Sequence, residues 1–133
     1  MTKSILALFA LLALAANANA ALDTSFVACQ DGNPQWKITF SLDLAQNKVT
    51  SVGPNGTDTY ISAQPIAAIT QADRSFLSSE AMVDSSQIIS GYKATIIDHE
   101  HGDKPVPQYF LNLKGGGQVS VYGAMVIAEP CGK

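Results

Sequence analysis

The segment Asp98-His99-Glu100-His101-Gly102-Asp103 is the densest group of potential ligands in this chain, holding both of its 2 histidines and three of its carboxylates. On an extended backbone His99 and His101 point the same way, because side chains alternate with a period of two. Two imidazoles on one side, with Asp98, Glu100 or Asp103 beside them, can chelate a transition metal such as zinc or copper. With no third histidine and no free cysteine elsewhere, such a site would be open rather than closed. The same residues also suit a solvated hairpin loop between two long strands, which Gly102-Asp103-Lys104-Pro105 would continue as a turn. In the second case no cofactor is implied.

Other residues with chemical potential lead less far. Ser90-Gly91-Tyr92-Lys93 has the S-x-x-K spacing of penicillin-recognising enzymes, but that motif works at a helix start and needs S-D-N and K-T-G partners. Neither partner occurs here, and in a strand Ser90 and Lys93 face opposite sides. There is no G-x-S-x-G, no H-E-x-x-H and no phosphate-binding glycine loop. The carboxylates are spread along the chain, so a glycosidase-type pair has no positive support. No catalytic residue is assigned, and a non-catalytic role is expected: a binding or inhibitory module for a protein or a small ligand. Trp36, Tyr60, Tyr92, Tyr109 and Tyr122 are the aromatic groups able to line a ligand mouth. Trp36 itself is expected in the core, since it falls on the apolar face of Phe40.

The elements that would position these groups read as strands. From Trp36 to Leu44, Trp36, Ile38, Phe40, Leu42 and Leu44 alternate with Lys37, Thr39, Ser41 and Asp43. That period of two marks a strand with one buried and one wet face, with Leu42 inside and Lys37 outside. A turn through Asn47 returns residues 49–52 as the hairpin partner, and Gly53-Pro54-Asn55-Gly56 is the strongest turn in the chain. Residues 57–62, 87–98, 109–114 and 118–128 are further strand segments. Gly91 and Gly123 each interrupt a long one, as at a bulge or sharp bend. Residues 65–83 fit either a short helix capped by Asp73 and carrying Phe76 and Leu77, or two short strands.

About seven or eight short strands joined by Gly, Pro and Asn turns predict an all-β, antiparallel single domain, barrel-like or sandwich. Cys29 and Cys131 stand 102 positions apart near the two ends of this pattern. A cystine between them requires the first and last strands to meet, as they do when a sheet closes on itself.

Residues 1–20 read as a secretory signal peptide, with Lys3 in the n-region, an apolar run over residues 5–16 and Ala18-Asn19-Ala20 at the cleavage site. The run is shorter than the ~20 residues a membrane-spanning helix needs. Ala21 stands where a lipoprotein would carry its cysteine. The expected product is therefore residues 21–133, exported to a periplasm or the extracellular space, where thiols oxidise. Were the source eukaryotic, Asn55-Gly56-Thr57 would be a glycosylation sequon. The formal charge is −3 and the basic residues are scattered singly, which argues against nucleic acid and anionic lipid as partners. Oligomeric state has no signature in the sequence.

Val27-Ala28-Cys29-Gln30-Asp31-Gly32, Ser90-Gly91-Tyr92 and the late Cys131 together resemble the periplasmic inhibitors of C-type lysozyme. The resemblance implies a small β-barrel with a cystine, and an inhibitory serine-glycine followed by a spaced tyrosine on a loop that enters the lysozyme cleft. In this chain Tyr92 follows Gly91 directly, and the segment reads as strand.

Overall fold

A computed structural model describes residues 24–132; the signal-like segment lies outside the described residues. Strands β1 (Ser25–Cys29), β2 (Lys37–Asp43), β3 (Lys48–Gly53) and β4 (Gly56–Ile61) form an antiparallel sheet in that order. Strands β5 (Ala67–Ala68), β6 (Ile88–Asp98), β7 (Lys104–Leu113), β8 (Gln118–Tyr122) and β9 (Met125–Ala128) form a second antiparallel sheet. One α-helix, α1 (Gln71–Ser79), connects β5 to β6.

The expected alternation decides the packing of β2. Phe40 and Leu42 are buried while Lys37 and Ser41 are exposed. Phe26, Phe40 and Phe110 bring the two sheets together, with Phe110 at 5.8 Å from Phe26 and 5.4 Å from Phe40 between ring centroids. This first core also takes in Leu42, Val49, Tyr92 and Ala94. The other face of the second sheet is covered by α1, where Leu77 packs with Ile88, Tyr109, Leu111, Val119 and Val121. Strand β7 is consequently buried on both faces: Tyr109, Phe110 and Leu111 in succession are 3%, 0% and 0% exposed. A run of successive apolar residues is what such a central strand requires.

Both edges where the sheets meet are stitched. Cys29 and Glu129 exchange backbone hydrogen bonds of 2.7 and 2.8 Å, and Cys29 is bonded to Cys131 with Cα atoms 4.9 Å apart. The Gln118 side chain extends that seam: its Oε1 accepts from the Val27 N–H at 2.7 Å and its Nε2 donates to Asn112 Oδ1 at 2.7 Å. At the opposite edge the Ala63 N–H donates to Thr95 O at 2.9 Å, and the Thr95 N–H to Ser62 Oγ at 2.9 Å. The result is a two-sheet sandwich with barrel-like closure, tied by the cystine between the N- and C-terminal regions.

Three local expectations change. The segment 118–128 is a hairpin rather than one strand, because Gly123 takes φ +60° and turns the chain between β8 and β9. That hairpin and the short β5 bring the strand number to nine. The ambiguous 65–83 stretch contains α1, whose N-cap is Thr70, not Asp73. Asp73 sits three residues into the helix and completes a capping box: its Oδ2 accepts from the Thr70 N–H at 2.8 Å, while its own N–H donates to Thr70 Oγ1 at 3.1 Å. Gly91, by contrast, stays within its strand and is where β6 presses on β7; a Cβ there would lie 2.5 Å from Phe110 O.

Trp36 is the third change. It is 41% exposed and lies outside β2, in a 3-10 turn at Pro34–Trp36. Asn33 caps that turn, its Oδ1 accepting from the Gln35 N–H at 3.0 Å, and Pro34 occupies the first position. The strand begins only at Lys37. Leu44, at the other end of the alternating run, is likewise out of the core at 40% exposure.

Candidate functional site

Chemistry-bearing side chains converge at several places in the sandwich, two of them at surface concavities lined by aromatic and carboxylate groups. The first is the β6–β7 connection, where Asp98 ends β6, His99–His101 form a 3-10 turn, and Gly102 and Asp103 take φ of 83° and 56° before β7. The turn replaces the extended backbone that would have set both imidazoles on one side. Each histidine instead turns to its own carboxylate: His99 Nδ1 lies 2.6 Å from Asp103 Oδ1, and His101 Nδ1 lies 2.8 Å from Asp98 Oδ2. Asp98 Oδ1 also accepts from the Glu100 N–H at 3.0 Å. The bond from His101 holds the Asp98 carboxyl below the ordinary carboxylate range, with the Glu100 N–H adding to it against the opposing effect of desolvation. Desolvation, and then the charge of Asp98, pushes the nearby Tyr122 hydroxyl up. Among the described residues, no three His, Cys, Asp or Glu side chains stand together so as to hold a metal ion. Of the expected set, His99 is paired with Asp103 and His101 with Asp98, while Glu100 is exposed.

The second place lies away from every ligand cluster that the sequence suggests. It is a cavity of about 170 Å³ at the end of the first sheet, lined by Trp36, Gln30, Ser51, Asn55 and Asp58 around Ile38 and the Gly53–Gly56 turn. The register explains the convergence. Phe40 pairs with Ser51, and Ser51 with Asp58, so these three share the face that carries the core. Two residues towards the Trp36 end, Ile38 is on that same face and only partly buried. The β3–β4 hairpin closes one side, with Gly53 paired to Gly56 across Pro54 and Asn55 and Gly56 at φ 123°. The other side is the 30–36 segment, held by the Asn33 cap and by a bond of 3.0 Å from the Gly132 N–H to Gly32 O beside the cystine.

The polar side chains of this cavity differ from those that stitch the sheets and turns together. Gln108, Gln118, Asn112, Asp73 and Asp98 are each tied to protein partners. Gln30, Ser51, Asn55, Asp58 and the Trp36 indole make no side-chain hydrogen bond, ion pair or ring contact with any described residue. Among the described residues, no lysine or arginine lines the cavity. One signal in the sequence points to it: Asn33-Pro34 is a turn dipeptide, and a turn there lifts Trp36 out of the strand that follows.

The segment resembling the lysozyme inhibitors lies in β6. Tyr92 is buried in the first core, and Ser90 Oγ accepts from Asn112 Nδ2 at 3.1 Å. Comparison with protein-family models, with curated proteins and with solved structures finds no match to this chain.

Proposed function

We propose that this chain is an exported, non-catalytic binding module whose ligand seats against Trp36 in the cavity between the 30–36 segment and the β3–β4 hairpin. The observation that carries this is the convergence on one concavity of five polar or aromatic side chains that make no side-chain hydrogen bond, ion pair or ring contact with a described residue. Ligand sites combine apolar and aromatic surface with a few placed polar groups, and this cavity has both. Export is supported by the signal-like residues 1–20 together with a cystine, a bond that persists in oxidising compartments. A binding role fits a sequence without a G-x-S-x-G, H-E-x-x-H or phosphate-binding glycine motif. An inhibitory role is the same module with an enzyme as its partner. The lysozyme-inhibitor alternative draws no support from Tyr92, whose ring is enclosed between the sheets.

Trp36 is the 1 tryptophan of the chain, so its fluorescence reports this cavity without labelling. Titration of the exported protein with fractionated extract of its own compartment should shift or quench that emission, and Asn55→Ala with Asp58→Ala should abolish the response. If no fraction changes the emission, or the double variant responds equally, the cavity is not the binding site.

A second reading rests on the histidine–carboxylate contacts of the β6–β7 turn. Histidines that bind metals commonly hand their other ring nitrogen to a carboxylate. His99 and His101 both do this through Nδ1, and their Nε2 atoms have no partner among the described residues. On this reading zinc or copper would be taken by the two Nε2 atoms, with Asp98 and Asp103 orienting the rings rather than ligating.

A further inference from the structure

Resting on the binding-module reading, we propose that the Trp36 cavity is a subsite for one neutral pyranose ring, as a free sugar or as a unit of a glycan chain. The size comes first. At about 170 Å³ the cavity is below the ~300–1,000 Å³ typical of sites for drug-sized ligands, and suits one ring-sized group. Its composition then selects among ring-sized ligands. An indole supplies a broad apolar platform with a polarisable face, which matches the C–H face of a pyranose. Gln30 and Asn55 each carry a carbonyl acceptor and an amide donor on one planar group, and Ser51 a hydroxyl that serves both ways. Neighbouring sugar hydroxyls need this alternation of donors and acceptors. Asp58 adds an acceptor-only group at the same rim.

Charge excludes the competing classes. With Asp58 present and, among the described residues, no lysine or arginine lining the cavity, a phosphate, sulfate or carboxylate ligand would meet a like charge with no described cation to neutralise it. A quaternary ammonium would pair with Trp36 and Asp58, but recognition of such ions usually rests on a cage of several aromatics. Here it would leave Gln30, Ser51 and Asn55 facing a ligand with no hydrogen-bonding capacity. The backbone of the walls is held by the β3–β4 hairpin on one side and the capped turn beside the cystine on the other, so the ordering needed on binding is that of the side chains.

The test is a titration of the exported protein, followed by Trp36 emission and by the side-chain amide resonances of Gln30 and Asn55. The probes are methyl glycosides of glucose, galactose, mannose and N-acetylglucosamine, the corresponding linear oligosaccharides, glucuronate and tetramethylammonium. At least one neutral glycoside should saturate both signals in the millimolar range, as ligand efficiency allows for about a dozen heavy atoms. Glucuronate should bind at least tenfold more weakly. In calorimetry Trp36→Ala should lose at least tenfold in affinity, Trp36→Phe only a few-fold, and Asp58→Asn a few-fold, with melting temperatures showing that each variant is folded. Equal binding of monosaccharide and oligomer would assign a free sugar, and tighter binding of the oligomer a glycan chain. Saturation by tetramethylammonium alone would overturn the sugar assignment and leave the cavity as a binding site. The sugar assignment falls in the same way if no sugar binds while extract fractions still move the Trp36 emission. Silence from both sugars and extract would overturn the binding-module reading itself.

Discussion

Asp73 should contribute more to stability than any other surface-derived carboxylate, and the structure allows the size to be worked out. Its side chain is buried where α1 lies on the second sheet and serves three groups. Oδ2 accepts from the Thr70 N–H and hydroxyl at 2.8 and 3.0 Å, closing the capping box. Oδ1 accepts from the Tyr109 hydroxyl at 3.2 Å and from Lys93 Nζ at 3.3 Å. Asp73→Ala removes the reciprocal half of the cap, worth roughly 1 kcal/mol. It also strands the hydroxyl of Tyr109, which is 3% exposed, and an orphaned buried donor costs about 1–3 kcal/mol. The Lys93 contact adds little, because that side chain is 40% exposed and water competes for it, so ~0–1 kcal/mol is expected. The total is about 2–5 kcal/mol, against ~5–15 kcal/mol for a whole domain. Tyr109→Phe keeps the ring against Phe76 and should cost only ~0.5–1.5 kcal/mol. With both changes made, no hydroxyl is left to be orphaned, so the double variant should be less damaged than the two single losses added together, by about 1 kcal/mol. Urea denaturation of the four proteins at pH 7 measures this directly. Additive losses, or an Asp73→Ala loss below about 0.5 kcal/mol, would refute the orphaned-hydroxyl mechanism.

The same carboxylate sets an acid limit. Burial pushes the Asp73 carboxyl up, but the Thr70 N–H, the Thr70 hydroxyl and Lys93 together outweigh burial and hold it below its ordinary value. The folded state therefore takes up the proton less readily than the unfolded chain. Its stabilising effect is full above the ordinary carboxylate pKa of ~3.9 and is lost as pH falls through the lower, folded value. The difference between parent and Asp73→Ala should shrink as the pH is lowered through that window, and a constant difference would contradict the sign.

Replacing both cysteines by serine should lower stability by about 2–4 kcal/mol, since the closed loop of 102 residues is long, and unchanged urea midpoints would show the bond to be unimportant. Gly91→Ala should destabilise by about 3 kcal/mol or prevent folding, because the added Cβ has the Phe110 carbonyl at 2.5 Å and Leu111 Cδ2 at 2.8 Å; an unshifted thermal melt would mean that β6 and β7 can part without cost. If the β6–β7 turn takes zinc or copper(II), calorimetry at pH 7.5 should show uptake that His99→Ala with His101→Ala removes. Uptake that survives the double substitution would place the metal elsewhere.

Strand pairing is legible in the sequence where one face is wet. The alternation of Ile38, Phe40 and Leu42 with Thr39 and Ser41 fixes both the strand and its register, because a one-residue slip would turn the whole apolar set outward. The pairing of Cys29 with Cys131 follows from closure of such a pattern. Alternation is less informative in β7, where Tyr109 and Leu111 serve the α1 side and Phe110 the sheet-to-sheet side. The helix itself is half hidden. Thr70-Gln71-Ala72-Asp73 carries a capping box, but with Asp in place of the usual Glu or Gln at the third position. Period-two logic also cannot say where a strand starts. Trp36 satisfies the alternation of β2, and only the fixed φ of Pro34 and the Asn33 cap break it from the strand.

The two candidate sites differ in the way their polar groups come together, and this bears on which of them serves a ligand. The dense 98–103 cluster is close in sequence, and a tight turn with two successive residues at positive φ has local uses for its side chains. Asp98 caps the Glu100 N–H, and each imidazole meets a carboxylate three or four residues away. Short polar side chains commonly satisfy neighbouring backbone in this manner, so density in the sequence largely measures the needs of the turn. Gln30, Trp36, Ser51, Asn55 and Asp58 come from three turns and two strands, and no local backbone need accounts for their meeting. Sheet register brings Ser51 and Asp58 together, and the capped turn puts Trp36 on the same cavity. Since none of the five engages another described residue, their convergence does not stabilise the fold through any side-chain hydrogen bond, ion pair or ring contact. A concavity whose hydrogen-bonding capacity is left facing solvent is better suited to an external ligand than a turn whose carboxylates are already in use. For this reason the cavity at Trp36, and not the histidine turn, carries the proposed function.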